Sequence, residues 1–367
     1  MRILIVDDST FFRRLLRELL AREPGFEIVG EAADGRQAIE MACRLKPDVI
    51  TMDVEMPGLD GISATRQIMA RCPTPILMIS SLTRYGARAT LDALEAGALD
   101  FMAKLDEHGE NCLSRQAPLL FAKLRLLSGR RLGAARSVPE PARAVPARSE
   151  QTIPDAPKAE ATRAVPSVGG GECARVLNPR GIVMVGASTG GPAAVQKLLQ
   201  GIPASFPVPI VVVQHMPPIF THAFAERLDR IIPLSVKEAH EGEQPLPGHV
   251  YIAPGGVHIQ LAASHGKPAF SLREPQANEH YRPSVDVGLS SAAQVYRSDV
   301  LGIVLTGMGN DGVLGARALK AAGAKVWAQD KESSVIYGMP MEVAKAGLAD
   351  AVMSLDELAS CLLRCVR

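Results

Sequence analysis

Short apolar runs alternate with segments of helical period along residues 1–127, and the same rhythm returns from Arg180 onward. This alternation constrains the chain more than any other feature. Strand, helix and strand in succession close as a parallel sheet with right-handed crossovers and helices on both faces. In the first part the runs are Ile3–Val6, Ile28–Gly30, Val49–Met52, Ile76–Ile79 and Ala98–Met102. Between them Phe11, Phe12, Leu15, Leu16, Leu19 and Leu20 recur with helical period. Further helices are expected over Gly35–Leu45, Ile62–Ala70, Thr90–Ala96 and Leu113–Leu127. In the second part strands are expected at 182–187, 210–215, 300–306 and 325–329. An insertion of more β character lies among them, at Ser235–Ala239, Val250–Ala253, His258–Leu261 and Ala269–Arg273. The fold class that follows is α/β, with two doubly wound parallel-sheet domains and a β-rich insertion in the second.

Residues 128–178 break the rhythm. Prolines 139, 141, 146, 154, 157 and 166 sit among alanines, Gly169-Gly170-Gly171 follows, and no apolar period is visible. Such composition cannot bury a core and reads as a flexible linker. Its basic residues outnumber its acids, but a solvated linker accounts for them better than an acid-binding arm. The expected domains are therefore 1–127 and 179–367, joined by 128–178. The formal net charge of +1 points to neither a nucleic-acid nor a membrane surface. No apolar run reaches the roughly 20 residues of a membrane span. Asp7 and Asp8 follow the first strand, so the N-terminus reads as a strand and not as a secretory signal. The cysteines at 43, 72, 112, 173, 361 and 365 form no Cys-x-x-Cys. Neither a zinc site nor a disulfide framework is expected, and reduced thiols in a cytoplasmic protein are the reading. Core packing accounts for Cys361 and Cys365.

In the first part, strand one ends in Asp7-Asp8 and strand three in Asp53. Central strands of a parallel sheet share one carboxyl edge, so the three acids can converge. Carboxylates held together repel, and a hard cation such as Mg²⁺ is their natural companion. Ser80 ends strand four and Lys104 follows strand five, so a hydroxyl and an ammonium reach the same edge. Asp7, Asp8, Asp53, Ser80, Phe101 and Lys104, with Met56-Pro57-Gly58-Leu59-Asp60-Gly61, resemble the response-regulator receiver family over about the first 125 residues. The resemblance implies a flavodoxin-like fold in which Asp53 accepts phosphate from a histidine kinase. It implies that Asp8, Asp53 and the backbone carbonyl of Glu55 ligate Mg²⁺ with Asp7 in support, and that Ser80 and Phe101 form the switch pair. The family usually has Lys-Pro where this chain has Lys104-Leu105, which bears on the placement of Lys104.

In the second part, Ile182–Val185 runs into Gly186-Ala187-Ser188-Thr189-Gly190-Gly191 and then a helix-like segment, Pro192–Gln200. The pattern fits Gly-x-Ser-x-Gly, in which a sharp strand-to-helix turn holds a serine up at the sheet edge. A tight turn or a phosphate-binding loop would look similar. A nucleophile needs a base, and the base an orienting acid. Of eight histidines only His215 ends a strongly apolar strand, Ile210–Gln214; the others read as surface residues of helices and turns. For the acid, Asp311 follows strand Leu301–Leu305 in a glycine-rich loop; Asp286 and Asp299 are weaker candidates because neither ends an apolar strand. These segments, with Leu246-Pro247-Gly248, Tyr251-Ile252-Ala253-Pro254-Gly255, Arg282-Pro283-Ser284-Val285-Asp286 and Tyr337-Gly338-Met339-Pro340, resemble the chemotaxis protein-glutamate methylesterase family from 180 to about 355. The resemblance implies a Rossmann-like domain that hydrolyses glutamate methyl esters on chemoreceptors, releasing methanol, and that often deamidates receptor glutamines. Ser188 would be the nucleophile, His215 the base and Asp311 its orienting acid, with the backbone N–H groups of Met308 and Thr189 facing the oxyanion. No cofactor is expected for the ester hydrolysis.

Two other readings compete. One is a receiver-controlled binding module without turnover, against which an intact Ser188, His215 and Asp311 argue. The other is a nucleotide site at Gly186–Gly191, which lacks both Gly-x-Gly-x-x-Gly and the phosphate-loop lysine. A tether of roughly 50 flexible residues reaches about 40 Å, so the two domains stay at an effective concentration on the order of millimolar. Even a weak contact would then mask the Ser188 edge, and autoinhibition by the unphosphorylated first domain is expected.

Overall fold

The computed structural model describes residues 1–81, 83–104, 116–129, 177–264, 266–277 and 279–366. Leu105, Cys112, Cys173 and almost all of the expected linker, 130–176, lie outside them. The N-terminal unit runs β1 (Arg2–Val6), α1 (Thr10–Leu20), β2 (Glu27–Ala32), α2 (Gly35–Leu45), β3 (Val49–Asp53), α3 (Gly61–Arg71), β4 (Ile76–Ser80), α4 (Arg84–Glu95), β5 (Asp100–Ala103) and α5 (Ala117–Ser128). Its sheet is parallel, in the order β2-β1-β3-β4-β5. The order reverses between β1 and β3, where a crevice opens beyond the carboxyl ends of the strands. Ser9, Asp34, Asp60 and Thr83 cap the helices that follow, each accepting from a backbone N–H of the first turn. α4 begins six residues before the expected Thr90. The large hydrophobic side chain of its first turn, Tyr85, is exposed, and what is buried there is small, Gly86 and Ala87.

The C-terminal unit runs β6 (Ile182–Ala187), α6 (Gly191–Leu199), β7 (Ile210–Gln214), α7 (Pro218–Ile231), β8 (Ser235–Glu238), β9 (His249–Ile252), β10 (His258–Ser264), β11 (Lys267–Arg273), α8 (Val285–Tyr296), β12 (Val300–Val304), α9 (Val313–Ala321), β13 (Lys325–Gln329), α10 (Met339–Lys345), β14 (Ala351–Met353) and α11 (Leu355–Leu362). Seven strands form a parallel sheet in the order β14-β13-β12-β6-β7-β9-β8. The β-rich insertion is thus divided: β8 and β9 extend the main sheet, and β10 and β11 form a separate antiparallel hairpin. Alternate residues of the central strands feed opposite faces. Val183, Val185, Ile210 and Val212 enter one core; Ile182, Met184, Val211 and Val213 enter the other. Because β6 lies between β12 and β7, the loops after these three strands emerge side by side.

The two units pack together through α4 and β5 of the first and α7 of the second. Phe101 stacks on Phe220 with ring centroids 4.4 Å apart, at an interplanar angle of 20°. Such a pair contributes about 0.5–1.5 kcal/mol beyond the area it buries. Around it, Arg227 pairs with Asp92 and Glu95, and Arg88 meets Glu226 at 2.6 Å. The carboxylates of these pairs are about one-third to two-thirds exposed, so each pair adds about 0.2–1 kcal/mol. The cysteine reading needs correction. Cys43 of α2 and Cys72 after α3 form a disulfide with Cα atoms 5.4 Å apart. Their sequence separation of 29 carries no signal; adjacent helices on one sheet face bring them together. Cys365 is free and buried, its thiol pushed up to about 12 by that burial.

Candidate active site

The first cluster sits in the crevice between β1 and β3. Carboxylate oxygens of Asp7, Asp8 and Asp53 lie within 4.8 Å of one another. Lys104 Nζ forms ion pairs with Asp7 Oδ2 at 2.7 Å and Asp53 Oδ2 at 2.8 Å. Burial pushes the Asp53 carboxyl up to about 6, against the pull of Lys104. Asp7 is also raised, by burial first. Lys104 is raised because Asp53 and Asp7 outweigh its own burial. One ammonium thus faces three carboxylates in a mouth of about 750 Å³ that Glu55 also lines. An all-oxygen set with unbalanced negative charge suits a hard divalent cation. Ser80 is buried, its hydroxyl donating toward the carbonyls of Ser81 and Gly86 at 3.3 Å. Phe101 is buried on the far side of β5, against Phe220.

The second cluster sits where the two units meet. Ser188, Thr189, His215 and Met308 line a cavity of about 560 Å³ whose opposite wall is Asp100, Phe101, Met102 and Lys123 of the first unit. Ser188 follows β6, His215 follows β7 and Asp311 lies in the loop after β12, so sheet adjacency brings all three together. His215 Nε2 lies 2.8 Å from Asp311 Oδ2. Asp311 is 2% exposed. Its other partners come from the start of α8: Ser284 Oγ donates at 3.0 Å, Val285 N–H at 2.7 Å and Asp286 N–H at 2.9 Å. Burial would raise this carboxyl, but the His215 bond and the backbone donors hold it below the usual carboxylate range. An ionised Asp311 fixes the proton on Nε2 and leaves Nδ1 as the ring's base. Among the described residues, no hydrogen bond engages the N–H of Thr189 or of Met308. The two therefore remain available as donors. Gly307 lets its loop close on the nucleophile turn, since a β-carbon there would lie 2.8 Å from Ser188 Cβ.

Several residues of this cluster escaped the strand-end reading. Gln214, the last residue of β7, donates through Nε2 to the carbonyls of Ser188 at 2.9 Å and His215 at 3.3 Å, tying the two loops together. A polar residue ending an otherwise apolar strand was the available signal. Asp286 is not the orienting acid, but its Oδ1 accepts from Gly312 N–H at 2.9 Å and Gly315 N–H at 2.7 Å, at the start of α9. Burial first, and Asp311 beside it, raise this carboxyl to about 6. Asp299 takes no part; its carbonyl accepts from Ile182 N–H at the opposite end of β6. His258 corrects the surface reading of the other histidines. It is fully buried in β10, its Nδ1 accepting from Ser284 N–H at 3.2 Å and its Nε2 bonding Glu279 at 3.1 Å.

The first unit also touches the nucleophile turn directly. Thr189 Oγ1 donates to Asp100 Oδ2 at 2.6 Å, and Lys123 pairs with the same carboxylate. The site is therefore covered in this arrangement.

Residues 183–362 match the family model described as CheB methylesterase, and residues 3–110 match the response regulator receiver domain. A protein-glutamate methylesterase/protein-glutamine glutaminase of Alkalilimnicola ehrlichii is 44% identical over 379 residues, covering 97% of each chain. One from a group 1 operon of Pseudomonas putida is 48% identical over 363 residues, again covering 97% of each. The crystal structure of the Thermotoga maritima CheB methylesterase catalytic domain is 45% identical, covering 50% of this chain and 98% of that one, with a TM-score of 0.49.

Proposed function

Since the chain belongs to the CheB methylesterase family and is a protein-glutamate methylesterase under the control of a receiver domain, we propose the following division of labour. The receiver is 1–127, the linker 128–178 and the catalytic domain 179–367, with the end of the linker at Leu177 packed onto the catalytic domain beside Val366. Ser188 Oγ attacks the ester carbonyl of a glutamate methyl ester on a chemoreceptor while His215 Nδ1 takes its proton. The N–H groups of Thr189 and Met308 bear the oxyanion, each such donor contributing about 3–4 kcal/mol. The C–O bond breaks, and methanol leaves with the proton from His215. Water, deprotonated by the same imidazole, then cleaves the glutamyl-Ser188 ester; the imidazolium returns that proton to Ser188 Oγ as it leaves, and the glutamate side chain is released as its carboxylate. A receptor glutamine would follow the same path and release ammonia. The observation that carries this reading is the 2.8 Å His215–Asp311 bond on the wall that also bears Ser188. Its direct test is methanol release from methylated receptor membranes incubated with the purified protein; no release beyond the uncatalysed rate refutes it.

Control runs through Asp53. A histidine kinase supplies the phosphoryl group, and Asp8, Asp53 and the carbonyl of Glu55 would hold Mg²⁺ with Asp7 in support. The cation supplies charge neutralisation for phosphoryl transfer to a carboxylate. Among the described residues, no helix is long and apolar enough to cross a membrane, and we place the enzyme in the cytoplasm. Asp53→Asn should take up no phosphate from a small-molecule phosphodonor with Mg²⁺ and should keep its basal esterase rate. Intact mass under native conditions reads this, and uptake by the variant would assign the acceptor elsewhere.

The switch reading is supported by the position of Phe101, which packs on Phe220 of the catalytic domain. A receiver state that turns this ring inward with Ser80 loses the central contact of the docking face. Arg227→Glu attacks the same face without touching the chemistry, by placing a carboxylate against Asp92 and Glu95. Losing two partly exposed pairs costs docking about 1 kcal/mol, so basal activity should rise roughly fivefold. An unchanged basal rate with unchanged phosphodonor stimulation would show that α7 is not part of the control surface.

A further inference from the structure

The strap from Glu279 to Asp286 delivers the backbone donors that hold Asp311, yet the proposed chemistry gives no role to its tyrosine. Tyr281 lies flat against His215, with ring centroids 4.7 Å apart and an interplanar angle of 17°. It is half-buried on the cavity wall, not in either core. Its phenol oxygen sits over the glycine loop, where a β-carbon on Gly309 would lie 2.2 Å away. The N–H of Asn310 faces that oxygen and opposes the rise in phenol pKa caused by burial and by Asp311. The strap itself is anchored outside the cavity, where Glu279 takes Arg273 Nη2 at 2.6 Å and His258 Nε2 at 3.1 Å. The ring is therefore held from behind while its face meets the imidazole.

We propose that Tyr281 is a positioning residue for the His215 base, holding one face of the imidazole and stabilising the imidazolium formed as Ser188 yields its proton. This rests on the reading of Ser188, His215 and Asp311 given above. In-plane, the Asp311 bond fixes Nε2 but leaves the ring free to tilt about that bond. The stacked phenol removes the tilt, so Nδ1 keeps its direction. The π face carries negative potential, which attracts a cation more than a neutral ring. The stack thus strengthens when His215 Nδ1 gains the proton and Ser188 Oγ bonds the carbonyl carbon, and only such differential contacts accelerate the step. Asp100, Lys123, His280 and Arg282 also line this cavity, and the carboxylates of Asp311 and Asp286 act on Tyr281 from outside its lining; all are unchanged by substitution at 281.

The test compares Tyr281→Phe and Tyr281→Leu in the full chain, activated by a small-molecule phosphodonor with Mg²⁺, on methylated receptor membranes. Tyr281→Phe keeps the stack and should hold kcat within about threefold of wild type. Tyr281→Leu should lower kcat about tenfold with KM within about twofold, the span of a cation–π contact. The acid limb of kcat/KM reports the free base. It should move about one pH unit lower in Tyr281→Leu, because a base that loses stabilisation of its cation titrates lower. It should stay in place in Tyr281→Phe. Should Tyr281→Leu fail to fold by circular dichroism, Tyr281→Met carries the same test. The inference is overturned by a leucine variant within twofold of wild-type kcat, by a loss with an unmoved acid limb, by a phenylalanine variant as impaired as leucine, or by a loss confined to KM. Turnover surviving in Ser188→Ala would instead overturn the underlying reading, whatever Tyr281 does.

Discussion

Ser188→Ala should lower turnover of a methylated receptor by at least about 10⁴-fold while leaving the fold unchanged. Ser188 is half-buried at the tip of the turn, and its hydroxyl bonds to no other described residue, so removing it breaks nothing that holds the sheet. The backbone donors of Thr189 and Met308 remain in the variant. Some acceleration over water therefore survives, but no covalent step can occur. His215→Ala should fall nearly as far, and the Ser188→Ala/His215→Ala double variant should fall no further than Ser188→Ala alone, because the residues act as one unit. Asp311→Ala should lose somewhat less turnover but destabilise more. It removes the acceptor for Ser284, Val285 and Asp286 at the start of α8 as well as the partner of His215. Methanol release with circular dichroism in parallel separates the two effects. Ser188→Ala activity within tenfold of wild type would sink the serine-hydrolase assignment.

The second large effect concerns the covered site. A catalytic fragment should be roughly 10- to 100-fold more active than the unphosphorylated full chain at equal concentration. The estimate follows from a tethered concentration on the order of millimolar acting on a contact of about 10–100 μM. The fragment must begin before Leu177, which is fully buried and pairs with Val366 beside the last helix; a start at Asn178 would cut this seam. Phosphodonor should stimulate the full chain and leave the fragment unchanged. Shortening the linker moderately should alter little, since closure cost varies only logarithmically with length. Equal rates for fragment and full chain without phosphodonor would leave recruitment to the receptor as the receiver's role.

What could be read without the fold was whatever sits at the end of an apolar strand. Asp7, Asp53 and Ser80 stand at the carboxyl ends of β1, β3 and β4, and Ser188, His215 and Asp311 follow β6, β7 and β12. Period alone places such residues on one sheet edge. Ser284 and Asp286 were not legible in this way. They belong to the first turn of a helix that crosses to the site from the hairpin; the Ser284 hydroxyl meets Asp311 without ending any strand, and Asp286, with Val285 beside it, holds Asp311 through backbone N–H groups that any residue type possesses. His258 misled for the opposite reason. A histidine beside polar turns looks solvated until β10 packs under α8 and buries it. The Cys43–Cys72 pair and the early start of α4 depend on helix-to-helix placement and on small buried residues, neither of which has a period to detect.

Asp100 and its neighbours wall the cavity from one side, and its carboxylate takes the hydroxyl of Thr189, the residue proposed to bear the oxyanion. Receiver and receptor helix thus compete for one seat, as an inhibitor competes with its substrate. Inhibition of that kind raises the apparent KM and leaves the limiting rate alone. Dense receptor arrays would then work partly against the lock, and the enzyme would be governed most tightly where its substrate is sparse. Phosphorylation, in these terms, sets how much receptor the enzyme must see before it acts.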